Sequence, residues 1–143
     1  MKSIERFKPQ TTVQPWGLER LLAEGPGYTL KLLSYKAGMG GGLQYHIQKT
    51  ESFYVLFGSG LVGYDRAGQW VEELVNAGSP TCHIQAGAPH QFTAITDCEV
   101  VEASTPGTND RVNVAERYGR RVEPGTLPTT YTEAEIVEFE NHV

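Results

Sequence analysis

The stretch GMGGGLQYHIQKTESFYVLFG covers residues 38–58 and contains two short strand-like runs separated by polar residues. Gln44 and His46 are two positions apart, so on an extended strand their side chains leave the same face. Glu51 opens the apolar run SFYVLF, and Gly58 ends it. This pattern predicts two neighbouring β-strands that carry polar, metal-ligating side chain types at the ends that face each other.

A second short stretch, GAPH, brings a further imidazole far along the chain. His90 follows directly after this Gly-Ala-Pro corner. Taken together, two nitrogen and two oxygen donors become available: Gln44, His46, Glu51 and His90. Such a set can hold one divalent metal ion and leave coordination positions open for a substrate. The alternative is that each is an ordinary solvated loop or hairpin residue.

Length and composition are typical of a single globular domain. The chain has 143 residues, 16 glycines and 8 prolines, which favours short strands joined by turns over long helices. The net charge of −5 argues against nucleic acid or an anionic membrane as a partner. The N-terminus lacks an apolar segment, so a cytoplasmic protein is expected. Cys82 and Cys98 are predicted to be buried free thiols.

Strand-like runs follow one another at regular spacing through the middle of the chain. They are TLKLLSY (29–35), GLQYHI (42–47), ESFYVLF (51–57), LVGY (61–64), WVEELV (70–75), PTCHI (80–84), HQFTAI (90–95) and CEVVEAS (98–104). Asp65-Arg-Ala-Gly68 predicts a hairpin turn. Such spacing is typical of an all-β sandwich or small barrel and not of βαβ units.

The two ends are predicted to lie outside the barrel, which should cover about residues 28–104. Residues 1–27 are expected to be an irregular lead-in, and residues 105–143 a short C-terminal extension. The extension holds several arginines, and TEAE from Thr132 has the form of a helix capping box.

The sequence resembles the cupin superfamily. The first cupin motif, G-x5-H-x-H-x3-4-E-x6-G, matches residues 38–58 at every spacing, with Gln44 in place of the first histidine. In the second motif, G-x5-7-P-x-G-x2-H-x3-N, Gly78, Gly87 and His90 match, while Gln85 and Ala94 replace the proline and the asparagine. The resemblance implies a double-stranded β-helix (jelly-roll) barrel with one divalent metal ion inside, which could be Zn, Mn, Fe or Ni.

A closer resemblance is to the cupin-type (type II) mannose-6-phosphate isomerases. It rests on Pro15-Trp16-Gly17, on the segment from Gln44 to Glu51, and on residues 109–120, NDRVNVAERYGR. Lys49 stands where those enzymes usually carry arginine. This resemblance implies isomerisation of a sugar or sugar phosphate, in which the metal stabilises an enediolate.

An isomerase of this kind needs a base and a pocket for its substrate. Lys49 and His83 are the candidate catalytic residues, although a solvated lysine and a surface histidine are the simpler interpretations. The candidate substrate-binding residues are Lys31, Phe53, Arg111 and Arg120. Cations would suit a phosphate, but a solvated basic tail is the simpler interpretation of the arginines. A homodimer is expected, because small cupins commonly pair through their barrels.

Two further functions remain open at this point. An iron-dependent dioxygenase or lyase acting on a small organic acid would use the same metal site. A non-enzymatic cupin that binds a small ligand would use the barrel without chemistry.

Overall fold

The computed structural model describes residues 2–106 and 110–115, with side chains described as far as residue 112. Eleven strands follow one another: β1 Gln10–Gln14, β2 Gly17–Gly25, β3 Tyr28–Tyr35, β4 Leu43–His46, β5 Glu51–Phe57, β6 Ser59–Arg66, β7 Gln69–Asn76, β8 Cys82–Ile84, β9 His90–Ala94, β10 Cys98–Ser104 and β11 Arg111–Ala115. The predicted all-β class is confirmed. Nowhere in the described residues is there a helix with the length and apolar character needed to span a bilayer.

The strands form two antiparallel sheets that enclose the core between them. The first sheet has the order β1-β2-β3-β10-β5-β8, and the second has the order β11-β4-β9-β6-β7. Consecutive strands therefore alternate between sheets in several places, as in a jelly roll. The strand signals at 29–35, 42–47, 51–57, 61–64, 70–75, 80–84, 90–95 and 98–104 each correspond to an observed strand, with ends that differ by up to two residues.

The inner faces of both sheets pack one apolar core. From the first sheet it takes Leu33 of β3, Val55 of β5 and Val100 of β10; from the second it takes Val62 of β6 and Phe92 of β9. Alternation along β5 shows why: positions 51, 53 and 55 are buried, and the side chains between them are more exposed. Burial of such side chains stabilises each by about 1.5–3 kcal/mol.

From Gln10 on, the N-terminal lead-in is not irregular, which corrects part of the prediction for residues 1–27. β1 and β2 form a hairpin on the edge of the first sheet, and β2 pairs with β3 along its length. A bulge after Leu21 interrupts the pairing, and β2 is half-buried at almost every position. Because of this uniform burial and the bulge, the stretch lacks the alternation by which the other strands were recognised.

The barrel also extends past residue 104, the boundary expected from the sequence. β11 pairs with β4 and adds an edge strand to the second sheet, and its Val112 is buried against Tyr45. Part of the predicted extension is therefore barrel. The predicted helix from Thr132 and the arginines at 117, 120 and 121 lie outside the described residues.

Glycines with positive φ close two of the turns. Ala67 (φ 51°) and Gly68 (φ 84°) form the two-residue turn between β6 and β7, as the sequence predicts. Gly58 (φ 85°) joins β5 to β6, and a Cβ there would collide with the carbonyl oxygen of Asp97. At Gly68 the same hypothetical atom meets nothing within 4 Å.

These two glycines form a matched pair for testing the packing of the β5–β6 turn. Gly68→Ala should lower the free energy of unfolding by about 1 kcal/mol, because only the backbone conformation is strained. Gly58→Ala should lower it by about 3 kcal/mol or more, because strain and collision add. Urea unfolding of both variants measures the difference, and equal losses would contradict the packing described here.

Candidate metal centre

Three buried side chains from both sheets converge at one end of the barrel. Glu51 is the first residue of β5 in the first sheet, while His46 ends β4 and His90 begins β9 in the second sheet. One donor atom from each lies within 4.8 Å of the other two. The long-range convergence that the two sequence stretches predicted is therefore present for these three residues.

The carboxylate of Glu51 lies between the two imidazoles. Its Oε1 atom is 2.9 Å from Nε2 of His90 and 3.7 Å from Nε2 of His46. Ligands about 2.0–2.2 Å from a common ion stand at such separations from one another. Two imidazole nitrogens and one carboxylate oxygen are donors for Zn, Mn, Fe or Ni, and they do not distinguish among these metals.

The far side of each imidazole ring is held by a hydrogen bond. Nδ1 of His46 is 2.9 Å from Oδ1 of Asp110, and Nδ1 of His90 is 2.9 Å from the carbonyl oxygen of Ala88. Both acceptors favour a proton on Nδ1, which leaves Nε2 of each ring with its lone pair for a metal ion. A second hydrogen bond of this kind is the usual support of a metal-binding histidine.

Asp110 bonds two backbone N–H groups as well as the imidazole of His46. Its Oδ2 atom accepts hydrogen bonds from the backbone N–H groups of Gln48 (2.7 Å) and Lys49 (2.8 Å). These three hydrogen bonds lower the pKa of Asp110 although its burial acts in the opposite direction. Asp110 thereby ties the loop between β4 and β5 to His46, the ligand at the end of β4.

Gln44 lies beside this cluster. It is the register partner of His90 across β4 and β9, and it lines the same small cavity as Glu51 and His90. Partners in register present their side chains on one face of a sheet. The amide is therefore positioned to serve as the neutral fourth donor predicted from the sequence.

Charge coupling within the cluster separates the pKa values of its members. Burial would raise the pKa of Glu51, but the hydrogen bond from His90 and nearby positive charges lower it to about 2. Burial would lower the pKa of His90, yet the bond and charge of Glu51 raise it. For His46 burial prevails and lowers the pKa. A metal ion would therefore displace a proton from His90, so metal affinity should rise with pH.

A second carboxyl group lies on the wall of the same cavity. Glu102 of β10 is the register partner of Phe53, and Ser104 is the register partner of Glu51. Burial and the charge of Glu51 raise the pKa of Glu102 to about 7. The hydroxyl of Ser104 is buried and has no hydrogen-bond partner in the described part of the chain. An unsatisfied hydroxyl beside Glu51 fits a site that holds an additional polar species, such as an ion or its water.

The cavity itself is small. Its volume is about 50 Å³, and Phe53, Tyr35 and Phe92 form its apolar side. A larger groove of about 630 Å³ lies between β7 and β8, and His90 and Ile84 border both spaces. The cavity has room for an ion with a few small ligand atoms.

Of the two predicted bases, Lys49 acts electrostatically on the cluster, and His83 lines the larger groove that His90 also borders. The charge of Lys49 lowers the pKa values of both Glu51 and Glu102. His83 is exposed and is the register partner of Ser52, whose Oγ lies 2.8 Å from its Nδ1 atom. Ser52 alternates with Glu51 and Phe53, so His83 lies on the opposite face of the first sheet and does not line the small cavity.

The predicted substrate-binding residues are distributed unevenly around the site. Phe53 lines the cavity. Lys31 is the register partner of Glu102, but its Nζ atom forms an ion pair with Glu19 at 2.9 Å. Arg111 is the register partner of His46, on the same face of the second sheet. Arg120 lies outside the described residues.

Asp110 and Glu102 are the site residues that the sequence did not reveal. Asp110 contacts groups more than 60 positions earlier in the chain, so no local pattern marks it. Glu102 gave a weak signal, since it alternates with Cys98 and Val100 on β10. The opposite face of that strand also carries apolar residues, so the alternation along β10 did not show which of its two faces points inward.

Comparison with known proteins identifies the fold. No protein-family model and no curated protein matches the sequence. Among solved structures, the capsular polysaccharide assembling protein CapF from Staphylococcus aureus superposes with a TM-score of 0.68 at 18% identity, over 76% of this chain and 32% of that one. Oxalate decarboxylase from Bacillus subtilis superposes with a TM-score of 0.65 at 19% identity, over 74% of this chain and 30% of that one.

The chain thus spans about a third of the length of these structures, and the fold it shares with them is the cupin fold. A further structure of the Bacillus subtilis oxalate decarboxylase, from work on its Mn(II) centres, superposes with a TM-score of 0.61 at 21% identity, over 69% of this chain and 28% of that one. These neighbours show the cupin fold, and the His-Glu-His cluster is a group of side chains that could hold a metal ion.

Replacing the aspartate behind His46 tests the support of the metal ligands. Asp110→Asn should weaken binding of a divalent metal by about 10- to 100-fold, because the amide cannot satisfy the imidazole and both backbone donors together. Competition against a chromophoric chelator measures the affinity. Asp65→Asn, in the hairpin that includes Gly68, is the control and should bind as the wild type does. Equal metal affinity in both variants would show that Asp110 does not support the metal ligands.

The raised pKa of Glu102 predicts a pH-dependent stability in the chelator-treated protein. The folded state holds this proton up to pH 7, and the unfolded state loses it near pH 4.5. Protonated Glu102 therefore contributes to the free energy of unfolding in full below pH 4.5. This contribution, at most about 3 kcal/mol, is lost as the pH rises through 7. Glu102→Gln should therefore raise the melting temperature more at pH 8 than at pH 5. A gain independent of pH would contradict the assignment.

Proposed function

We propose that this chain is a metal-dependent isomerase of a sugar or sugar phosphate. The observation that carries the proposal is the set of three donors, His46, Glu51 and His90, which opens into a cavity with a further carboxyl group on its wall. Three protein ligands are typical of catalytic sites, because they leave positions for substrate oxygens. A bound divalent cation would supply the positive charge that stabilises an enediolate.

The side chains around the ligands have separate tasks in this proposal. His46 and His90 would hold the cation through Nε2, and Asp110 and the Ala88 carbonyl fix their ring orientation. Phe53 excludes water from the reacting carbons. Isomerisation moves one proton between neighbouring carbons, so a group that accepts and returns it must face the same cavity.

Recognition of a phosphate would depend on cations near the cavity. Arg111, which is the register partner of His46, and Lys49, whose charge acts on Glu51, are the candidates. CapF, a capsular polysaccharide assembling protein, gives support at the level of carbohydrate chemistry only. We infer that a neutral sugar is as plausible a substrate as its phosphate ester.

A second candidate function has its own supporting observation. A cavity of about 50 Å³ suits a small organic acid better than a whole hexose, and oxalate decarboxylase shares the fold. A lyase or an iron-dependent dioxygenase acting on such an acid would use the same three ligands. Release of CO₂ or consumption of O₂ distinguishes these reactions from isomerisation.

We also propose a homodimer that forms through the outer face of the first sheet. Leu30, Leu32, Tyr54 and Val101 lie on this face and are only half-buried in one chain. Covering such a face in a second copy would remove apolar surface from water.

Metal-loaded protein tests the proposed activity directly. The wild-type protein, loaded in turn with Mn, Fe, Ni or Zn, should interconvert at least one aldose–ketose pair from a panel of free and phosphorylated pentoses and hexoses, measured by NMR. His90→Ala should lose bound metal and at least about 100-fold in rate, because it removes a ligand and unpairs Glu51. A loaded wild-type protein that converts no sugar, but decarboxylates or oxidises a small acid, would replace the proposal with the second candidate.

A further inference from the structure

Glu102 is the one carboxyl group on the cavity wall that is not itself in the donor cluster. It lines the cavity together with Gln44, Glu51 and His90, yet it is absent from the set of atoms within 4.8 Å of one another. In the described part of the chain, burial and neighbouring charges act on its carboxyl group, and no hydrogen bond does. Lys31 and Lys49 act on it only through their charges, and a carboxyl group that is not hydrogen-bonded beside reactive donors calls for a chemical explanation.

The sheet register fixes its distance from the ligands. Glu102 pairs with Phe53, and Glu51 is two residues from Phe53 along β5. Diagonal neighbours of this kind are about 7–8 Å apart in an antiparallel sheet. The Glu102 carboxyl group is not among the donor atoms that lie within 4.8 Å of one another, so it is placed beside the ligands, where it can contact the carbon atoms of a molecule held there.

The neighbouring residues keep Glu102 available for proton exchange. Lys31, its register partner on β3, forms its ion pair with Glu19 and not with Glu102. Burial, the largest influence on the Glu102 carboxyl group, raises its pKa and so favours a group that takes up a proton. Glu51, in contrast, is held ionised by its two histidines.

We propose that Glu102 is the catalytic acid–base residue of this site, in place of Lys49 or His83. In the isomerisation, its carboxylate accepts the proton of the C2–H bond of an aldose, and the electron pair of that bond forms the C1=C2 double bond as the C1 carbonyl oxygen gains the charge. After a proton passes from O2 to O1, Glu102 returns its proton to C1, and the ketose carbonyl forms at C2. One C–H bond breaks and one forms, so no oxidant or further reactant is needed. This inference rests on the proposed function.

The activity test compares two carboxyl groups on one strand. Glu102→Gln should reduce kcat by at least about 100-fold with little change in KM, and Glu102→Asp should recover part of the loss. Glu99→Gln is the matched control, because Glu99 lies three residues away on the opposite face and bonds Ser34. Deuterium exchange at the substrate carbon in D₂O should disappear with Glu102→Gln and persist in the control. A Glu102→Gln variant with a wild-type exchange rate would overturn the inference.

A binding experiment makes the test independent of turnover. 2-Hydroxyacetohydroxamic acid imitates an enediolate and loses a proton when its oxygens bind a metal ion. Calorimetry in buffers of different ionisation enthalpy counts the protons released at pH 7.5. The metal-loaded wild-type protein should release almost none, since Glu102 accepts the proton, whereas Glu102→Gln should release about one per site.

The two experiments separate the inference from the proposed function. Equal proton release by the wild-type protein and Glu102→Gln would overturn the role of Glu102, whether or not sugars are converted. A difference of one proton without conversion of any sugar would support Glu102 as a proton acceptor, while the proposed isomerisation would fail. Melting curves of both glutamine variants confirm that they fold.

Discussion

The contact between Glu51 and His90 joins the two sheets at the polar end of the barrel. Glu51 belongs to the first sheet and both histidines to the second, and the carboxylate is 2.9 Å from Nε2 of His90. A buried carboxylate is costly unless positive charge and hydrogen bonds compensate it. The histidines provide that compensation, and a metal ion would do so more fully. The geometry that binds a cation is thus the same geometry that allows Glu51 to be buried.

The inner face of the first sheet changes in polarity along the strands. Across β3, β10 and β5, one row holds Leu33, Val100 and Val55, and packs the core. The row next to it holds Lys31, Glu102 and Phe53, and the last holds Thr29, Ser104 and Glu51. Successive rows lie two residues apart along each strand. The same three strands therefore carry both the core side chains and the side chains of the candidate metal centre. A site built in this way on paired strands is more rigid than one built on loops.

A shared fold does not determine the reaction. The neighbours with this fold include a protein of capsular polysaccharide assembly and a decarboxylase of a small acid. Barrels of one fold can differ in the groups that contact the metal ligands or line the cavity beside them. In this chain these groups include Asp110, which orients His46, and the Glu102 carboxyl group, which faces the cavity.

The sequence by itself determined the strands between residues 28 and 104, because alternation and glycine positions are local properties of the chain. It indicated His46, Glu51 and His90 through the resemblance of their spacing to the cupin motifs. It failed at β2, where a bulge and uniform half-burial erase the alternation. Only the tertiary structure decided that Asp110 stands behind His46, that Glu102 faces the cavity, and that His83 does not. Those outcomes depend on the register between strands distant in sequence, and a shift of one residue would turn every side chain to the opposite face.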